Sequence, residues 1–182
     1  MKVVGLGGSL RQNSRAYHVL KKALLEAKNL GCDIELLDLR ELKLPFCDGS
    51  HEYVEFPDVQ RLKKSIRSAH AVILSTPEYH GSLSGVLKNA LDLLDIEDVD
   101  GKVFGLIAVM GGEMSFNAIE TLRTVVRWLH GWTIPEQLTI KKADHAFDEN
   151  LELKNEEVVL RLKKMVSSLV RNTKRLTSEG NF

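Results

Sequence analysis

Five short apolar runs alternate with five amphipathic stretches along the chain, and this alternation limits the possible folds more than any other feature. The first run, 2–7, carries Val3, Val4 and Leu6 and ends in glycines. From Ser14 the spacing turns helical, with Ala16, Leu20, Ala23, Leu24, Ala27 and Leu30 on one face and Gly31 as a stop. "DIELLDL" (33–39), "AVILST" (71–76), "KVFGLIAVM" (102–110) and a weaker run at 133–140 supply four more strands. Pro135 places that last run at a sheet edge or a bent start. Helices are predicted at about 58–68, 84–94 and 116–129. A closing helix is striped by Val158, Leu162, Met165, Val166, Leu169 and Leu176.

Strands that read as continuous apolar runs are covered by helices on both faces of a parallel sheet. The expected architecture is a three-layer α/β sandwich with a five-stranded parallel sheet. The flavodoxin-like order 2-1-3-4-5 suits this alternation, although periodicity does not itself dictate strand order. In such sheets ligands bind outside the carboxyl ends of the strands, where the order reverses between strands one and three. The loops after strands one, three and four therefore carry the functional reading.

At 182 residues a single domain over 1–182 is expected, and no linker or repeat interrupts it. Lys+Arg and Asp+Glu are both 25, so nothing in the charge balance suggests binding to nucleic acid or to an anionic membrane. Cys32 and Cys47 form no C-x-x-C pair, which argues against a disulfide framework or a zinc site. The apolar start is too short for a signal peptide, and no apolar run approaches 18 residues. A soluble cytoplasmic protein is the expectation.

The loop "GLGGSLRQNS" (5–14) joins the first strand to the first helix. As a dinucleotide fingerprint it fails at Leu10, where the third small residue belongs, and Asp38 lies too far on to serve as the ribose-binding acid. A P-loop is excluded because no Gly-Lys-Ser/Thr is present, and a receiver domain because strand one ends in Gly and Ser rather than acids. What remains is a loop of hydroxyls and amides opening a helix. Ser9, Asn13 and Ser14 offer donors, Arg11 a cation, and the helix end its partial positive charge. One terminal phosphate fits that inventory. A glycine turn with Ser14 as an ordinary N-cap fits it equally well.

The second loop decides between them. "PEYHGSLSGVLKNALD" (77–92) follows strand three: Pro77 stops the strand, Tyr79 offers a flat ring, and His80, Gly81 and Ser82 allow close backbone approach. With "GSLRQNS" (8–14) and "GLIAVMGGEMSFNAIETLR" (105–123), it resembles the NADPH-dependent FMN reductase family, which includes azoreductases, quinone reductases and chromate reductases. The resemblance covers roughly the first three quarters of the chain, and 141 onward matches nothing. It implies FMN as cofactor and NADPH or NADH as donor. It also implies that Ser9, Arg11, Gln12, Asn13 and Ser14 hold the phosphate. Pro77, Glu78, Tyr79, His80, Gly81 and Ser82 would then line the ribityl chain and ring, and Gly111 and Gly112 would approach the pyrimidine side. Many members carry Asn where this chain has His80. Homodimers or homotetramers are implied too, with the flavin near a subunit interface.

Plainer roles stand beside these. Glu78 is expected to cap a helix or pair with a base, and Lys88 and Asn89 to fix the loop. Trp128 and Trp132 are expected in the core or at a subunit contact. Cys47 and His51 share a loop without a third partner. The predicted site shows neither a Ser/His/Asp nor a Cys/His pairing, and no metal-ligand spacing. The expected site accordingly has no catalytic side chain, because a flavin carries the chemistry and the protein positions it. The functional expectation is ping-pong, two-electron hydride transfer from NAD(P)H to a small quinone, azo, nitro or metal-oxyanion acceptor. A flavodoxin-type carrier and a non-catalytic nucleotide-binding module are the alternatives. Flavodoxins, however, are strongly acidic and have a Thr/Ser-rich phosphate loop.

Overall fold

The computed structural model of the chain describes residues 1–50, 53–113 and 116–178. Its strands are β1 (Lys2–Gly7), β2 (Asp33–Asp38), β3 (Ala71–Tyr79), β4 (Ser82–Leu83), β5 (Val103–Val109) and β6 (Trp132–Ile140). The five long ones form a parallel sheet in the order β2-β1-β3-β5-β6, while β4 pairs antiparallel with the end of β3. Without the two-residue β4 this is the expected order 2-1-3-4-5. The main helices are α1 (Arg15–Asn29), α2 (Pro57–Ser68), α3 (Gly85–Asp92), α5 (Asn117–Trp128) and α7 (Glu156–Ser178). Two single-turn helices, α4 (Ile96–Val99) and α6 (Ala143–Ala146), sit in connections.

Alternate strand residues feed two separate cores, as a doubly covered sheet requires. Val3, Ile73, Ile107 and Val109 pack with Leu20 and Ala23 of α1 and with Met165 and Leu169 of α7. Val4, Leu74, Phe104 and Leu106 pack on the opposite face with Leu62 of α2, Leu87 of α3 and Leu122 of α5. Each fully buried large side chain contributes about 1.5–3 kcal/mol. Close layer contact also depends on Gly5, where a Cβ would stand 2.8 Å from Leu24 Cδ1.

Pro135 lies on edge strand β6, as expected. The register against β5 jumps from Phe104↔Thr133 to Leu106↔Gln137, leaving 134–136 as a bulge that needs no donor from proline. The Arg123 guanidinium takes the Ile134 and Pro135 carbonyls of that bulge, each at 3.2 Å.

Two expectations are corrected. Pro77 does not stop β3, which runs on to Tyr79: Pro77 closes the parallel ladder opposite Val109, and Glu78 then pairs with Leu83. Trp128 and Trp132 are not core, being 72% and 59% exposed at the end of α5 and the start of β6. The tail forms α7, whose Leu162, Met165, Val166 and Leu169 stripe is buried while Leu176 is exposed. No helix among the described residues is long and apolar enough to cross a membrane.

Candidate functional site

Helix α1 covers one face of the sheet and α3 the other, so the loops after β1 and β3 part at the carboxyl edge and leave a crevice. A cavity of about 570 Å³ opens there. Its wall contains Ser9, Arg11, Gln12, Asn13 and Ser14 from the first loop, Pro77, Glu78 and Tyr79 from the second, and Gly111 from the third. Three loops separated by some hundred residues thus meet on one space of ordinary cofactor-site size.

The first loop is tied down on both sides. The Gly8 amide donates to the Ser75 carbonyl at 2.7 Å, and Ser84 Oγ donates to the Gly8 carbonyl. The same Ser84 hydroxyl accepts from the Leu87 amide at 3.3 Å as the N-cap of α3. Ser9 Oγ accepts the Arg11 amide at 3.3 Å, and Ser14 Oγ accepts the Tyr17 amide at 3.3 Å. Ser14 is therefore the N-cap of α1 and a wall residue at once, so its two readings do not compete. The amides of Gln12 and Asn13 find no backbone acceptor among the described residues. Asp38 is not free to meet a ribose. Burial pushes its carboxyl up, but hydrogen bonds from the Arg40 side chain and backbone outweigh this and hold it below the usual range.

The second loop is a hairpin. His80 and Gly81 form its two-residue turn with φ of 49° and 76°, both left-handed, as a type I′ turn demands. Asn tolerates that region better than most residues. Accordingly, His80→Asn should raise the unfolding free energy by about 0.5 kcal/mol, read as a higher urea midpoint at unchanged slope. A fall in the midpoint would show that the imidazole makes a contact of its own. His80, Gly81, Ser82 and Gly112, expected to line the site, are not among the residues that line the cavity; they follow Tyr79 and Gly111 in the chain, and the Gly112 carbonyl accepts the Lys142 amide at 3.0 Å.

Glu78 takes the capping role: its Oε2 accepts the Ala118 amide at 3.3 Å in the first turn of α5. Asn89 fixes the loop after β2, accepting from the Cys47 amide at 2.9 Å and donating to the Pro45 carbonyl at 2.8 Å, while Lys88 pairs with Asp92 on its own helix. His51 lies outside the described residues, and no metal-binding group of His, Cys, Asp and Glu occurs among those described.

Sequence reasoning misses Arg15, Ala16, Val109, Met110, Ala143, Asp144 and Leu151, which complete the wall. The last three come from the tail. Arg15 Nη1 reaches Asp144 at 2.6 Å across 129 residues of chain, a contact that no spacing in the sequence announces.

The wall fits the phosphate-bearing flavin implied by the resemblance on two observations. Arg15 Nε is buried with no hydrogen-bond partner among the described residues, a donor left for an anion. A Cβ built on Gly111 would meet nothing within 4 Å, so the backbone there faces open space that a ring can approach closely.

Comparison with known proteins agrees with this geometry. Residues 1–145 match the family model described as NADPH-dependent FMN reductase. The chain is 33% identical to an FMN-dependent NADPH-azoreductase of Staphylococcus aureus, over 93% of this chain and 94% of that one. It is 30% identical to the NADPH-dependent FMN reductase ArsH of Shigella flexneri, over 95% of this chain and 69% of that one. In fold it is similar to the flavoenzyme NAD(P)H:(acceptor) oxidoreductase FerB of Paracoccus denitrificans, with a TM-score of 0.80 at 23% identity, covering 96% and 97% of the two chains. The cleft, its free amides and the match over most of the length lead to one conclusion: the chain belongs to the NADPH-dependent FMN reductase family and is an oxidoreductase with FMN as cofactor and NADPH as donor.

Proposed function

We propose that the cleft binds FMN with its phosphate on the loop 9–14, and that the protein reduces small flat or oxyanionic acceptors, of the quinone, azo, nitro or metal-oxyanion class, in a ping-pong cycle. The observation that carries this reading is the convergence of the β1, β3 and β5 loops on one cavity, lined both by Gln12 and Asn13, whose amides have no backbone acceptor among the described residues, and by the flat ring of Tyr79. FMN, when bound, supplies the two-electron chemistry, taking hydride from NADPH and giving it to the acceptor. The chain's own part is to bind and orient. Ser9, Arg11 and the amides of Gln12 and Asn13 give hydrogen bonds and charge to a phosphate. Tyr79, half-exposed on the β3–β4 hairpin, covers one side of the ring, and the Gly111–Gly112 backbone meets its polar edge. Glu78 caps α5.

With Tyr79 on one side, donor and acceptor have to stack in turn on the side left open, each within about 3–3.5 Å of the reacting atom. Steady-state plots of rate against NADPH at several acceptor concentrations should give parallel lines, with excess acceptor competing against NADPH. Intersecting lines, with both bound together, would mean that both sides are open. A homodimer or homotetramer is part of the proposal, with the exposed Trp128 and Trp132 as candidates for a subunit contact, as are a cytoplasmic setting and a single domain over 1–182.

A further inference from the structure

We propose that Arg40 is a positioning residue that turns the amides of the first loop toward the ligand phosphate, an inference that rests on the FMN reading above. Arg40 follows β2 and belongs to none of the three loops that line the cleft. Its guanidinium is fixed on three sides. Nε donates to both Asp38 oxygens, at 2.8 and 3.0 Å, and Nη2 also reaches that carboxylate. The plane lies over the Tyr17 ring at 4.1 Å, on the first turn of α1. The remaining Nη1 donates to the carbonyls of Gln12 at 3.1 Å and Arg11 at 3.5 Å.

Peptide geometry carries the consequence. In a trans peptide the carbonyl and the next residue's N–H point in opposite directions, and the described chain has no cis bond. A carbonyl of Gln12 held by Arg40 sends the Asn13 N–H away from Arg40, and the Arg11 carbonyl does the same for Gln12. Gln12 and Asn13 line the cavity and Arg40 does not, so the loop stands between them and the two amides face the cleft. Those are the amides without a backbone acceptor among the described residues. The Asp38 carboxylate, itself 8% exposed at the end of β2, anchors the clamp to the sheet. Lysine is a poor substitute, since one ammonium does not reproduce a planar fork that grips a carboxylate and two carbonyls together.

The test compares FMN with riboflavin, which has the ring and ribityl chain but no phosphate. Fluorescence titration of the full-length chain should show FMN binding about tenfold more weakly in Arg40→Ala, with riboflavin unchanged. Arg40→Lys should lose several-fold, and the same ratio can be read from it if the alanine variant does not fold. Equal losses for both ligands would make Arg40 a structural residue only and overturn the proposal. So would an FMN preference kept whole in Arg40→Ala. A parent chain that binds FMN and riboflavin alike would overturn the phosphate reading itself, and the clamp with it.

Discussion

Arg11→Ala should weaken FMN binding by about 1.5–3 kcal/mol, the worth of a charge-assisted hydrogen bond, and leave riboflavin binding unchanged. The structure gives the prediction its direction. The Arg11 side chain is exposed on the cavity wall, and the ion pairs of the described residues do not include it. Its charge is therefore available to a ligand without breaking an internal contact. Arg15 differs: its Nη1 already holds Asp144, so part of any gain from a phosphate is spent in loosening that pair. Arg15→Ala should accordingly cost less than Arg11→Ala. Isothermal titration with FMN and riboflavin measures both, and equal losses for the two ligands in Arg11→Ala would remove Arg11 from the phosphate subsite.

The second large effect concerns stability. Gly8→Ala should destabilise the chain by about 1–3 kcal/mol, the usual cost of overpacking a filled site. A Cβ on Gly8 would stand 2.7 Å from Leu87 Cβ and 2.8 Å from Ser84 Oγ. Neither atom is the free end of a flexible side chain: Leu87 is fully buried and Ser84 caps α3 while donating to Gly8 itself. Relief requires β1 and α3 to separate at the point where the first loop is anchored. FMN affinity should fall together with stability, which a urea melt and a titration on the same sample would show. An unchanged melt would mean that the loop is not held by this contact.

The layered fold is legible because its signals are local and redundant. Runs such as 71–76 announce buried strands, and the α1 and α7 stripes fall on the faces that the structure buries, except for their last members Leu30 and Leu176, which the helix ends leave exposed. Pro77 misleads because proline is read as a strand stop, whereas here its missing N–H falls at the last pair of a ladder and the chain continues extended to Tyr79. Of the two places expected for the tryptophans, the core is ruled out because their positions beside an element end leave them in solvent. In the candidate site, the loops that bear motifs are visible as sequence. The wall from Ala143, Asp144 and Leu151 is not, since it depends on where the chain returns after β6. Arg40 is hidden for the same reason: its role is defined by the carbonyls of Arg11 and Gln12, 29 and 28 residues away.

The central claim is that one cleft at the carboxyl edge of the sheet holds FMN and that NADPH reduces it there without a partner protein. The most direct measurement is anaerobic spectroscopy of the purified chain after addition of FMN and removal of the excess. The account predicts a yellow protein whose visible band is bleached rapidly by NADPH alone and returns when a quinone is added. A protein that stays colourless with FMN, or a yellow one bleached only when a separate reductase is supplied, would contradict it.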